Sequence, residues 1–180
     1  MYLSRAAYRA WAEQQPRGRF ERVGGRVVRM TPERVVHAQL KAAVWRALDD
    51  AVRGVGIEAQ ALPDGITVEV GEDTDYEPDA LVNLGPPLGP DDVAAPNPVI
   101  VVEVLSPGTR SVDTGEKFAG YFSLPAVQHY LVVSARRREV THHRRAGHAI
   151  LSAIVTQGTI ALDPPGISIA LDAIYRDIAL

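Results

Sequence analysis

Seven consecutive residues, Val99-Ile100-Val101-Val102-Glu103-Val104-Leu105, constrain this chain more than any other feature. The run is apolar at every position but one. It therefore reads as a strand covered on both faces, at the centre of a sheet with other elements packed above and below. Strand alternation puts Val99, Val101, Glu103 and Leu105 on one face. A carboxylate inside such a strand is expensive to bury unless it is neutralised, hydrogen-bonded or bound to a metal. Two readings of Glu103 stand open. One is a strand-end carboxylate that pairs with an arginine or caps the turn at Ser106. The other is a functional group, because sites in open α/β sheets gather at the carboxyl ends of strands.

The rest of the pattern fits around that strand. Ser4 caps a short helix with Leu3, Ala7, Tyr8 and Trp11 at helical spacing, ended by Pro16. Arg19 to Met30 alternates about Gly24-Gly25, a hairpin signal. Thr31-Pro32-Glu33-Arg34 opens the strongest helix, with Thr31 as cap and Pro32 in the first turn, and Val36, Leu40, Val44, Leu48 and Val52 form its apolar stripe. Ile66 to Val70 alternates as a strand, Glu72 to Glu77 is an acidic loop, and Asp79 to Leu84 is a second strand. Gly85 to Pro98 holds five prolines and two glycines and is a loop. Ser106-Pro107-Gly108-Thr109 breaks the central strand. Val112 to Leu124 is a helix with Phe118, Tyr121 and Phe122 on one side, and Gln128 to Ser134 is a buried strand. Glu139–Arg145, Ile150–Thr156 and Ile167–Leu171 read as outer antiparallel strands. The core order is helix, three strands, helix, strand: an α/β fold with a mixed sheet, in one domain over residues 1–180.

Composition excludes several function classes. The chain has no cysteine, which removes disulfide scaffolds, cysteine nucleophiles and thiolate zinc sites, and fits a reducing cytoplasm. No apolar run approaches the ~20 residues of a membrane helix, so no membrane span is expected. The first eleven residues carry Arg5 and Arg9 without an apolar core and do not read as a secretory signal. The net charge of −3 means that contact with nucleic acid must rest on local patches or bound metal. There is neither a GxxxxGK loop nor a GxSxG elbow.

Two further residues join Glu103. Asp79, in Glu77-Pro78-Asp79-Ala80, leads into an apolar strand. If that strand neighbours the central one, the two carboxylates converge, and a shared proton or a divalent cation relieves their repulsion. The alternative for Asp79 is a turn. Lys117 lies on the helix after the Glu103 strand and either reaches the carboxylates, where it steadies a water or a phosphate oxygen, or is a solvated lysine.

Pro78-Asp79, then Val102 to Thr109, then Asp113, Lys117, Tyr121 and His129-Tyr130-Leu131-Val132-Val133 together resemble the Uma-two-type endonuclease family of the PD-(D/E)XK restriction-endonuclease-like superfamily. Phe20 to Pro32 resembles that family's entry hairpin, and His37 falls where members often place a histidine. The likeness covers about residues 17–175, after an N-terminal helix and linker over 1–16. It implies a restriction-endonuclease-like α-β-β-β-α-β core with a mixed sheet, an N-terminal helix and hairpin, and C-terminal antiparallel strands. It also implies an endonuclease that hydrolyses DNA phosphodiester bonds. Asp79, Glu103 and the Val104 carbonyl would hold Mg2+, replaceable by Mn2+, and Lys117 would assist the attacking water. Leu105 occupies the superfamily's usual lysine position, so Lys117 must replace that lysine. Glu21 is either an additional acidic group at the site or a hairpin surface charge.

Other residues divide in the same way. Glu69 is solvated or supports the site. His37 contacts a phosphate, or caps and packs. His142 and His143 point to opposite strand faces and read as surface positions. Arg136-Arg137-Arg138 with Arg144-Arg145 is either a phosphate-contacting patch or a protected strand edge. Two competing functions remain: a catalytically silent nucleic-acid-binding or regulatory module of the same fold, and a metal-free hydrolase using two carboxylates. Duplex cleavage needs two cuts, which favours a homodimer.

Overall fold

A computed structural model describes residues 2–30, 33–105 and 112–180, with only the backbone described for 112–114. In chain order the elements are α1 (Arg5–Glu13), β1 (Phe20–Val23), β2 (Arg26–Arg29), α2 (Val35–Val55), β3 (Ala59–Pro63), β4 (Val68–Val70), β5 (Thr74–Tyr76), β6 (Ala80–Leu84), β7 (Pro98–Leu105), α3 (Val112–Ser123), β8 (His129–Ser134), β9 (Val140–Ala146), β10 (Ala149–Val155), β11 (Thr159–Leu162), β12 (Ile167–Ala170) and α4 (Leu171–Tyr175). The expected Thr31 cap, Pro32, the break at Ser106-Pro107-Gly108-Thr109 and the Asp113 side chain lie outside the described residues.

The apolar run forms β7 and sits inside a six-stranded mixed sheet of order β10-β9-β8-β7-β6-β3. Its neighbours are β6, antiparallel, and β8, parallel. A parallel neighbour needs a long crossover, and α3 supplies it. The core is therefore α2, β3, β6, β7, α3, β8, the α-β-β-β-α-β order expected. A register shift between Val82 and Asn83 leaves Val99 without a Cα partner on β6. Val99 then packs with Ile100, Val102 and Val104, not with Val101 and Leu105 as simple alternation predicts.

Each sheet face has its own cover. On one face Leu40, Val44, Leu48 and Val52 of α2 meet Val82, Ile100, Val102 and Leu131, with β11, β12 and α4 closing the same cluster. Each fully buried Leu or Val there contributes about 1.5–3 kcal/mol. Arg34 occupies the N-cap of α2, so the helix starts later than the Thr31-Pro32 signal suggested. Gly56 ends it in the left-handed region at φ 66°. On the other face Phe118, Tyr121 and Phe122 of α3 cover Leu81, Val101, Tyr130 and Val132. A second sheet, β2-β1-β5-β4, packs Val23, Val68, Val70 and Tyr76 into that same cluster.

Three sequence expectations change. The first core strand is β3, not Ile66–Val70, whose alternation is real but whose strand, β4, pairs with β5 in the second sheet. The acidic stretch is not all loop, because Thr74–Tyr76 forms β5. Asp75 is buried there, neutralised by Arg22 at 2.5 Å and Arg5 at 2.6 Å. The C-terminal strands include β11, which pairs with β12 as a separate hairpin. No described helix is long and apolar enough to cross a membrane.

Candidate active site

Because β6 runs antiparallel to β7, its amino end lies beside the carboxyl end of β7. Ala80 pairs with Val102, the residue before Glu103, and Asp79 immediately precedes Ala80 at that end. The Asp79 N–H donates to the Val102 carbonyl at 2.9 Å, and its Oδ2 accepts the Val104 N–H at 2.7 Å. The side chain continues the hydrogen-bond ladder where the backbone of β6 leaves the sheet, and this fixes the carboxylate.

Glu103 faces α3. Lys117 and Tyr121, four residues apart on that helix, share the face that meets it. Glu103 Oε1 accepts from Lys117 Nζ at 2.9 Å and from the Tyr121 hydroxyl at 2.7 Å. Lys117 Nζ also donates to Glu21 Oε1 at 2.9 Å, and that oxygen accepts the Glu77 N–H at 3.0 Å. A buried ammonium thus bridges carboxylates from β1 and β7. Tyr121 is held in turn by Tyr76, edge-on at 5.2 Å between ring centres. Gly120 permits this packing: a Cβ there would lie 2.8 Å from the Tyr76 ring.

The electrostatics follow from burial and crowding. Burial pushes the Glu103 carboxyl up to about 7, aided by the negative Asp79 and Glu21 and opposed by Lys117 and Tyr121. Burial works against the Lys117 charge, but Glu103 and Glu21 outweigh it and hold the ammonium above its ordinary value. Burial and then Glu103 raise Tyr121 well above the ordinary phenol, so its hydroxyl stays a donor.

A second arm reaches Asp79 from α2. Lys41 Nζ lies 3.3 Å from Asp79 Oδ1, 3.2 Å from Glu33 Oε2 and in contact with Asp64. Burial disfavours the Lys41 charge, yet Asp64 and Asp79 raise its pKa. His37 Nε2 is 2.7 Å from the Val104 carbonyl, and Nδ1 is 2.6 Å from Glu33 Oε2. Both contacts are hydrogen bonds at once only when both ring nitrogens carry hydrogen. This arm opens into a cavity of about 330 Å3 lined by Arg19, Arg29, Glu33, His37, Lys41 and Asp79 among others.

Sequence reasoning named Glu21, Asp79, Glu103 and Lys117, and the structure brings Glu21, Glu103 and Lys117 into direct contact. Asp79 lies one strand away, tied in through the Val104 N–H. Lys41, Glu33, Asp64 and the role of Tyr121 were missed. The signal for the first two was present: Glu33, His37 and Lys41 are spaced by four. Glu69 is not part of this cluster; it pairs with Arg9 at 2.5 Å and Arg5 at 3.5 Å and fastens α1. His142 and His143 do face opposite ways, but His142 is no surface residue. It is buried against His129, 2.9 Å away, while His143 meets Ser152 Oγ at 2.7 Å and the Phe118 ring. The arginine patch divides too. Arg145 donates to the Phe122, Leu124 and Val127 carbonyls, Arg137 pairs with Glu139, and Arg138 pairs with Asp172.

The donor set suits one metal type. Among the described residues no three or more His, Asp or Glu side chains converge as a metal cage. The oxygen donors at this end of the sheet are two carboxylates, Asp79, which accepts the Val104 N–H, and Glu103, the residue before Val104, with the Val104 carbonyl beside them. Mg2+ is commonly held this way, by one or two carboxylates with water and substrate phosphate completing its shell. The residues fit a hydrated Mg2+.

An α-β-β-β-α-β core with acidic residues where its central antiparallel strands meet, and a buried lysine beside them, defines a protein of restriction-endonuclease-like fold. A family model, Uma2, described as "Putative restriction endonuclease", matches residues 5–173, and the chain belongs to that family. The fold is similar to a crystal structure from Anabaena variabilis described as "a putative nuclease belonging to DUF820". The TM-score is 0.73 at 12% identity, over 94% of this chain and 97% of that one. Two uncharacterized Synechocystis proteins are similar over shorter stretches. One, slr1290, is 38% identical over 84 residues, 46% of this chain; the other, sll1609, is 31% identical over 74 residues, 40% of this chain. The chain spans 44% and 42% of the length of these curated relatives.

Proposed function

We propose that this protein is a metal-dependent endonuclease that hydrolyses DNA phosphodiester bonds. The observation that carries the reading is the Lys117 ammonium. It is buried between Glu21 and Glu103, one strand from Asp79, and this supports a role for it in place of the lysine that Leu105 lacks. Asp79, Glu103 and the Val104 carbonyl would hold Mg2+ or Mn2+. When bound, that ion supplies charge neutralisation on the phosphate and a water acidified for attack.

The chain's own groups divide the remaining work. Two of the three Lys117 N–H hydrogens go to Glu21 and Glu103. The third is assigned to the attacking water or to a non-bridging phosphate oxygen, where negative charge develops. Glu21 and the Tyr121 hydroxyl are positioning groups: one orients the ammonium and the other fixes Glu103 Oε1. On the α2 side, His37 and Lys41 line the cavity where the phosphate chain would run. Arg29, which has no ion pair among the described residues, stands on its wall as a further phosphate contact. Cutting both strands of a duplex takes two such sites, which a two-fold pair of chains supplies.

A second reading has one observation in its favour. His37 engages the Val104 carbonyl, and Lys117 and Tyr121 engage Glu103 Oε1, an arrangement that suits a silent nucleic-acid-binding module. Nicking of supercoiled plasmid separates the two. The nuclease reading expects cleavage with Mg2+ or Mn2+ that stops in EDTA, is abolished in Glu103→Gln and falls roughly 10²–10³-fold in Lys117→Met. Plasmid binding without cleavage would favour the silent module, and cleavage that persists in EDTA would favour a metal-free hydrolase.

A further inference from the structure

We infer that β10 is a dimerisation edge, where two copies of this chain pair antiparallel through the same strand. β10 is one of the two outer strands of the main sheet. Its seven residues, Ala149-Ile150-Leu151-Ser152-Ala153-Ile154-Val155, are apolar at every position but one. They are mostly exposed, Leu151 by 47% and Ile154 by 66%. Exposed, flat, apolar edge strands invite pairing, and proteins normally guard them with charge, proline, bulges or a cover.

The opposite edge is guarded in this way. β3 ends on Pro63, Trp45 Nε1 donates to its Ala61 carbonyl at 3.3 Å, and its Gln60 side chain holds the Leu88 N–H at 2.9 Å. Among the described residues β10 has no such device. It pairs with β9 in unbroken register, without proline or bulge, and no Asp, Glu, Lys or Arg occurs between Arg145 and Asp163.

The sequence of the strand specifies the occupant. An isologous contact needs a surface complementary to itself. About Ser152, β10 reads nearly the same in both directions. Antiparallel pairing centred there sets Ser152 on Ser152, Ile150 on Ile154, Leu151 on Ala153 and Ala149 on Val155. Every apolar residue meets an apolar one, large beside small at the Leu–Ala step. The backbone agrees. The two-residue loop Gly147-His148 closes on the Ala146–Ala149 pair, so Ala149, Leu151, Ala153 and Val155 turn their polar groups toward β9. Ile150, Ser152 and Ile154 turn theirs outward, and these are the residues that the two-fold register matches. The pairing joins two six-stranded sheets edge to edge and closes on itself, leaving no free β10 edge for a third copy. It does not depend on the nuclease reading.

The test is sedimentation velocity of the intact chain over a concentration series, beside Ile154→Lys and Ser152→Cys. Ile154 is mostly exposed, so its substitution leaves the fold intact, as circular dichroism would verify. The expected result is a concentration-dependent dimer whose dissociation constant rises by roughly a hundredfold or more in Ile154→Lys, since the two-fold contact then sets two lysines, one from each copy, against apolar partners on an edge that charge protects from pairing. The chain has no native cysteine, so Ser152→Cys should form a covalent dimer with a short bis-maleimide, whereas Arg53→Cys, far along α2, should not. A monomer at all concentrations overturns the inference. So does a dimer indifferent to Ile154→Lys, a dimer that Ser152→Cys does not cross-link, or an open series of larger species.

Discussion

Replacing Glu103 by Gln should stabilise this protein at alkaline pH, although it removes a hydrogen-bonded acidic residue from the site. The Glu103 carboxyl is raised from 4.5 to about 7 in the fold, chiefly by burial and then by Asp79 and Glu21. A carboxyl raised on folding contributes stability that is fully present below its unfolded value and is lost as pH rises through its folded one. The loss therefore runs from about pH 4.5 to pH 7 and above, and at pH 8 amounts to about 3 kcal/mol. Gln keeps the shape and hydrogen-bonding capacity of the neutral acid without its charge. The Gln variant should then exceed wild type by about 3 kcal/mol at pH 8 and by only about 1 kcal/mol at pH 5. Urea denaturation in chelator at the two pH values, with m-values compared, measures both differences. A variant less stable than wild type at pH 8, or a difference that does not shrink at pH 5, would refute the reasoning. The first result would mean that the ionised Glu103–Lys117 pair stabilises the fold. A gain confirms that the fold tolerates an unfavourable charge at a working position.

Three further outcomes follow from the same contacts. Burial, the neighbouring His129 and nearby Arg144 depress His142 from 6.5 to about 4, so stability is present above pH 6.5 and lost as pH falls toward 4. The loss by pH 5 is about 2 kcal/mol, opposite in sign to the Glu103 effect; urea denaturation of His142→Phe should lack it. Gly120→Ala should destabilise by about 1–2 kcal/mol in thermal unfolding despite a helix-propensity gain, because the new methyl strikes Tyr76. Arg29→Ala should weaken DNA binding alike for all sequences and lower the salt slope by about one, measured by fluorescence anisotropy.

The parts of the fold legible in the sequence are those fixed by local pattern. Val99–Leu105 announced a central strand because a short, valine-rich run, apolar on both faces and bounded by prolines, fits a doubly covered strand better than a helix. The stripe from Val36 to Val52 announced α2, and Phe118, Tyr121 and Phe122 announced the packed face of α3. What failed was pairing between distant segments. Ile66–Val70 alternates as a half-buried strand must, but alternation does not say which sheet it joins. Ala59–Pro63, the true first core strand, contains no β-branched residue and carries almost no strand signal of its own. Its position comes from α2 and β6 packing around it.

The site divides along the same line. Glu103 was visible because a charge inside an apolar run needs a physical reason. Glu21 and Lys117 are 96 residues apart, so only the fold shows that one ammonium serves both Glu21 and Glu103. Lys41 was invisible because a lysine on an amphipathic helix ordinarily lies in water. It is buried here because Glu33, Asp64 and Asp79 surround it. His142 was misjudged for the converse reason: alternation gave its direction correctly but not the β11–β12 hairpin and helix that cover that face.

The central claim is that Asp79 and Glu103 form one metal-holding pair served by Lys117. Calorimetric titration of Mn2+ into wild type and Glu103→Gln at pH 8 tests it most directly, with a non-hydrolysable oligonucleotide present so that phosphate can complete the shell. The account predicts saturable binding in wild type that vanishes in the variant. Binding of equal strength in both proteins, or none in either with the oligonucleotide bound, would contradict it.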